Sequence, residues 1–118
     1  MTDCLFCKIA KGEIPSDIVY QDEKMIVFKD INPQAEVHLV GIPREHYINI
    51  VELTHENITL AQYFLSKMAE VGSKMSGGNG IDNGQFKLLF NTGEKIGQSV
   101  FHVHAHILAG KINEDARV

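Results

Sequence analysis

The chain has 118 residues, 44% of them apolar and 22% charged, with no tryptophan and a formal net charge of −4. That length suits one compact domain over residues 1–118, and the acidic balance speaks against a nucleic-acid backbone, though not against a single nucleotide held by local donors. No apolar run approaches a membrane span, and "MTDCLFCKIAKGE" has no basic segment followed by an apolar one, so we expect a cytoplasmic chain with reduced thiols and no membrane partner.

In chain order, "CLFCKIAKG" predicts a short helix closed by Gly12, the residue best suited to a left-handed stop. "DIVYQDEKMIVFKD" reads as two strands with a turn near Asp22 and Glu23, and "VHLVGIP" as a third strand ending at Pro43. "THENITLAQYFLSKMAEVGSKM" predicts one long helix with Thr54 as its cap. Ile58, Ala61, Leu65, Met68, Gly72 and Met75 would form its buried stripe, because they recur at three- and four-residue steps. "SGGNGIDNG" is a loop, and "QFKLLFN" and "SVFHVHAHILA" are two more strands. Five strands without regular strand-helix alternation predict an α+β fold with an antiparallel sheet, one short helix and one long one.

The densest signal is "HVHAHIL", His102 to Leu108, with three of the six histidines at every second position. On a strand, His102, His104 and His106 would share one face, roughly 6.5–7 Å apart, while Val103, Ala105 and Ile107 pack on the helix. Such a row fits a polar strand face or a metal centre built from two or three imidazoles. The preceding "NTGEKIGQS" offers glycines for close backbone approach and hydroxyls that donate to an anion; it also fits an ordinary connection between strands. Cys4 and Cys7, the only cysteines, stand as Cys-x-x-Cys: half of a metal site, a redox pair, or two incidental thiols.

Together, the Cys-x-x-Cys, "DINPQAEVHLVGIPREH" and "NTGEKIGQSVFHVHAHIL" resemble the histidine-triad (HIT) family, whose signature alternates three histidines with apolar residues. The resemblance runs from Cys4 to about Ala109 and is nearest to the Hint-type purine nucleoside phosphoramidases. It implies a HIT fold whose five-stranded sheet pairs with a second copy into a ten-stranded sheet in a homodimer. It also implies hydrolysis or transfer at the α-phosphorus of a purine nucleoside 5′-phosphoramidate through a nucleotidyl-histidine intermediate. The alternatives are a dinucleoside polyphosphate hydrolase, or a nucleotide-binding module with incidental turnover.

The same resemblance implies residue roles. His104 would be the nucleophile, His106 a donor to the phosphate, and His38 a fourth histidine near the leaving group. Ser99 and Gln98 would hold the phosphate and the departing nitrogen, with main-chain N–H groups around Gly97. Asp30 would accept from the ribose hydroxyls, and Asn91 would lie near ribose and phosphate. Phe6, Ile9, Ile14, Ile18, Phe28 and Ile31 would form the slot for the base. Cys4, Cys7, His46 and His102 match the ligands of a structural zinc ion in metal-carrying members. The tail "KINEDARV" lacks the tryptophan and proline that Hint-type chains carry there, and Lys95 and Ile96 stand where relatives have small residues; both bear on leaving-group specificity.

Overall fold

The computed structural model describes residues 4–77 and 84–118. Its elements are α1 (Leu5–Ala10), β1 (Ile18–Gln21), β2 (Met25–Lys29), β3 (Ala35–Pro43), α2 (Ile50–Glu56), α3 (Ile58–Gly77), β4 (Lys87–Leu89) and β5 (Ala105–Ile112). The strands form one sheet in the order β1-β2-β3-β5-β4, and every neighbouring pair is antiparallel. The fold is α+β, as expected, with three α-helices among the described residues where two were expected.

The short first helix ends as its sequence predicts. Gly12 has φ +76°, its N–H bonds to Ile9 O at 3.0 Å, and the Glu13 N–H bonds to Lys8 O at 2.9 Å. That 5→2 and 6→1 pair is a Schellman closure. At the other end the Cys4 sulfur accepts the Cys7 N–H at 3.3 Å, so one thiol caps the helix that carries the other.

The expected single long helix is two. Asn57 divides them: its N–H closes α2 on Leu53 O at 2.8 Å, while its side-chain oxygen accepts the Leu60 N–H at 3.1 Å and opens α3. Thr54 caps nothing; it lies inside α2 with its hydroxyl donating back to Ile50 O at 3.0 Å. The true start is Asn49, which accepts the Glu52 N–H at 2.9 Å while Glu52 accepts the Ile48 N–H at 2.7 Å. Asn-x-x-Glu at 49–52 is close to a capping box, and it was the signal available in the sequence.

The buried stripe also differs. Ile58 and Leu65 are 54% and 50% exposed, and the face turned inward carries Leu60, Ala61, Phe64, Met68, Val71 and Gly72. Both stripes satisfy helical periodicity, and packing on the sheet chooses between them. The loop expected over 76–84 begins inside α3, and its residues 78–83 lie outside the described residues.

The sheet is covered on both faces. Met25, Val27, Leu39, Val103, Ala105 and Ile107 pack with Phe64 and Met68 of α3. Ile26, Phe28, Val40 and Ile42 pack on the opposite face with Phe6 and Ile9 of α1. Gly41 leaves room for α3 here, since a Cβ at that position would lie 2.1 Å from the Met68 sulfur and Met68 would have to shift.

The strand expected over 99–109 enters the ladder only at Ala105, opposite Gly41. Before it, the Val103 N–H bonds to Tyr47 O at 2.6 Å rather than to β3, and the Pro43 carbonyl accepts the His102 ring N–H at 2.8 Å. His102 and His104 therefore precede the strand. The alternation still holds, with Val103, Ala105 and Ile107 in the helix-side core. The expected strand over 85–91 likewise pairs only over Lys87–Leu89.

Candidate active site and metal cluster

On the α1 face of the sheet lies a cavity of about 360 Å³, within the 300–1,000 Å³ typical of small-molecule sites. One wall is apolar: Phe6, Ile9, Ile14, Phe28 and Val40 line it. The other is polar, with Asp30, His38, Asn91, Ser99, His104 and His106. Gly97 and Ile31 reach the cavity too, Ile31 as a rim residue that is 99% exposed.

Two residues expected in this site are not among its lining. Ile18 pairs with Phe28 across the β1–β2 ladder and is exposed outside the cavity. Gln98 is buried, and its amide is taken up by the backbone: it accepts the Gly93 N–H at 2.8 Å and donates to Ile48 O at 2.7 Å and Val100 O at 3.1 Å. Its amide therefore holds the loop. The main-chain donors shift as well. The Gly97 N–H bonds to Glu94 O and the Gln98 N–H to Gly93 O, closing the 3-10 turn over Glu94–Ile96. Ser99 and Val100 follow at the cavity wall, and neither their N–H groups nor the Ser99 hydroxyl bond to a described residue.

His104 is oriented by the backbone just before β5. Its Nδ1 lies 2.8 Å from the His102 carbonyl, which can only accept, so the ring proton is on Nδ1 and a lone pair remains on Nε2. Burial depresses its pKa and keeps that lone pair available. Phe6 stands edge-on to the ring at 5.0 Å between centroids, and His106 at 5.1 Å. Burial lowers the His38 pKa as well, and takes that of His106 down to about 4. The β3–β5 register sets Val40 opposite His106 and His38 opposite Leu108, so the two histidines are diagonal neighbours on one face. His38 Nε2 lies 3.0 Å from His106 Nδ1 and 3.4 Å from Asp30 Oδ2.

A second cluster joins the N-terminus to the triad. Cys4, Cys7, His46 and His102 bring four ligand-type atoms within 4.8 Å of one another, an arrangement that could hold a metal ion. The Nδ1 of His102 lies 3.4 Å from the Cys4 sulfur, 3.5 Å from that of Cys7 and 3.2 Å from His46 Nδ1. Because His102 donates from Nε2 to Pro43, its Nδ1 lone pair faces the cluster. His46 Nε2 is the one buried side-chain polar atom among the described residues without a hydrogen-bond partner. Desolvation lowers the pKa of both rings, that of His102 to about 4, so both are neutral near pH 7, the form a metal ion would need.

Lys29, Gln34, Arg117 and Val118 also line the cavity and were not anticipated. The C-terminal residues arrive through tertiary pairing, for which the sequence carries no local signal.

With this geometry in view, comparisons with known proteins agree on one assignment. A family model described as "Scavenger mRNA decapping enzyme C-term binding" matches residues 3–117. Protein HitA of Neisseria gonorrhoeae is 43% identical over 108 residues, covering 92% of this chain and 96% of its own. The purine nucleoside phosphoramidase of Escherichia coli K12 is 39% identical over 111 residues, covering 92% and 88%. A HIT family hydrolase from Clostridium thermocellum superposes with a TM-score of 0.81 at 38% identity, over 100% of this chain and 98% of its own. The chain belongs to the histidine-triad family. Within that family it is a hydrolase.

Proposed function

We propose that this hydrolase acts at the α-phosphorus of purine nucleoside 5′-phosphoramidates, through a nucleotidyl intermediate on His104. The observation that carries this reading is the 2.8 Å contact from His104 Nδ1 to the His102 carbonyl, which leaves the Nε2 lone pair at the cavity. That nitrogen attacks phosphorus, the phosphorus–nitrogen bond breaks, and the leaving amine takes a proton from water. The hydroxide left from that water then attacks phosphorus and the phosphorus–imidazole bond breaks, returning neutral His104 and releasing the nucleoside monophosphate. Covalent catalysis of this kind divides one hard displacement into two easier ones.

His106 and the Ser99 hydroxyl would donate to the phosphoryl oxygens, with the N–H groups of Ser99 and Val100. Donors fixed in advance supply a large share of such rate enhancements. His38 would serve the leaving-group side through its contact with His106. Asp30 would accept from the ribose, while Phe6, Ile9, Ile14, Phe28 and the rim residue Ile31 would enclose the base and Asn91 would lie near ribose and phosphate. Arg117 and Val118 stand at this cavity and would bear on leaving-group specificity.

Zinc is the ion that best fits the cysteine–histidine cluster. A tetrahedral site with Zn–S of about 2.3 Å and Zn–N of about 2.0–2.1 Å has ligand–ligand edges of about 3.3 Å (N–N) and 3.5 Å (N–S). The observed 3.2, 3.4, 3.4 and 3.5 Å lie close to those edges. With four protein ligands no position is open to water, so the ion would be structural. It would tie α1, and with it the Phe6 wall, to the triad strand.

A homodimer follows on the same reading. β4 is an edge strand, and Ile48, Val51, Ile58 and Leu65 of α2, α3 and the residues before them are exposed. Pairing the two β4 edges would join two five-stranded sheets into one of ten. Among the described residues no helix is long and apolar enough to cross a membrane. A cytoplasmic setting, where thiols stay reduced, would keep the ligand cysteines competent. Turnover of an adenosine phosphoramidate panel beside dinucleoside polyphosphates tests the activity. Rapid quenching should trap acid-labile, base-stable label on His104, and label on any other residue would overturn the mechanism.

A further inference from the structure

The turn between β2 and β3 holds a residue that the mechanism has not used. The Gln34 main-chain N–H donates to His38 Nδ1 at 3.0 Å. An imidazole nitrogen that accepts carries no proton, so neutral His38 bears its proton on Nε2. That Nε2–H faces His106 Nδ1 at 3.0 Å and Asp30 Oδ2 at 3.4 Å. Two protons cannot meet across the 3.0 Å contact, so His106 Nδ1 is bare and neutral His106 is protonated on Nε2. One amide thereby decides the proton position on two rings.

The same donor settles what this group of side chains is for. Asp30, His38 and His106 bring three ligand-type atoms within 4.8 Å, a geometry that resembles a metal site. A metal would need the His38 Nε2 lone pair, and the proton would then have to sit on Nδ1, facing the Gln34 N–H. Protonation of His38 to imidazolium meets the same obstacle. The group is therefore built as a directed hydrogen-bond chain.

Gln34 is itself held from the far end of the molecule. Its carbonyl accepts the Asn113 N–H at 2.9 Å, just beyond β5. Its side-chain oxygen accepts the Arg117 N–H at 3.4 Å, and its amide donates to Asn32 O at 3.2 Å. Asn32 in turn donates its N–H to Asp30 Oδ1 at 2.8 Å. The segment after β5 thus clamps the turn by main chain and side chain together.

We propose that Gln34 is a positioning residue: its main-chain N–H, clamped by the C-terminal segment, fixes the tautomers of His38 and His106 so that His106 offers an N–H to the phosphoryl group. The final clause rests on the function proposed above; the tautomer assignment does not. The test is long-range proton–nitrogen NMR on the full chain with 15N-labelled histidine at pH 7.5. Wild-type His38 and His106 should both show the Nε2–H pattern. Gln34→Pro removes the N–H and should give His38 mixed tautomers. Its kcat on an adenosine phosphoramidate should fall roughly fivefold with KM little changed, equivalent to about 1 kcal/mol. Gln34→Ala, which keeps the N–H, should keep the wild-type nitrogen pattern. Asn113→Pro loosens the clamp without touching Gln34 and should shift the pattern partway, which keeps the test decisive if Gln34→Pro does not fold. The Nδ1–H form or the imidazolium on wild-type His38 would overturn the proposal, as would an unchanged pattern in both proline variants. Absence of turnover in the wild type would instead remove the functional reading and leave the nitrogen spectra to judge the tautomer lock.

Discussion

Lowering the pH should destabilise this protein through His106 in a way that can be measured separately. Burial first, then the neighbouring His104 and His38, hold its pKa at about 4 against the ordinary 6.5. The folded state therefore refuses a proton that the unfolded chain accepts between those values. With more protons bound to the unfolded state, stability rises with pH across this window. The contribution is complete above about pH 6.5 and is lost as pH falls toward 4. The unfolded chain's preference for the proton is worth about 2.5 kcal/mol at pH 4.5 and about 0.2 kcal/mol at pH 7, so His106 alone should cost about 2 kcal/mol over that interval. Buried His38 and His104 shift in the same direction. The clean measurement is a difference. Urea unfolding at pH 7, 5.5 and 4.5 on wild type and His106→Asn should show the wild type losing about 2 kcal/mol more than the variant. Equal losses would mean that His106 titrates as a solvated side chain, and the burial argument would be wrong.

Three further outcomes are expected. His104→Ala should remove phosphoramidate turnover by several orders of magnitude while calorimetry still detects monophosphate binding, since only the attacking atom is lost; near-native turnover would exclude a covalent role. Cys4→Ala should lower Tm by more than the loss of about 1 kcal/mol expected for a helix cap, because it removes a cap and one of the four residues that could hold a metal ion. A chelator should then destabilise the wild type but not the variant, and elemental analysis should find one zinc per chain. Gly41→Ala should cost about 1–3 kcal/mol in urea unfolding, because the new Cβ meets the sulfur of fully buried Met68; a neutral effect would mean that Met68 repacks freely.

The sequence by itself determined what depends on local chemistry and simple periodicity. Alternating polar and apolar residues from His102 to Leu108 set three imidazoles against Val103, Ala105 and Ile107, and that division survives although the ladder starts only at Ala105. The Gly12 stop, the Asp22 turn with its N–H contacts to Lys24 and Met25, and the five strands were legible for the same reason. Which helical stripe faces inward was not, because Leu65 and Phe64 fit the period equally well and only the shape of the sheet chooses between them. Nor was the fate of Gln98, whose amide could serve a ligand or a backbone until Ile48, fifty residues away, presents its carbonyl. The tautomers lie furthest from the sequence. A ring proton sits wherever the nearest donor leaves an acceptor, and for His38 that donor is an amide on a turn held by residues 113 and 117. Residue types can be read along a chain, but the direction of this hydrogen bond is decided by a turn that the segment after β5 holds in place, and that is the work of tertiary structure.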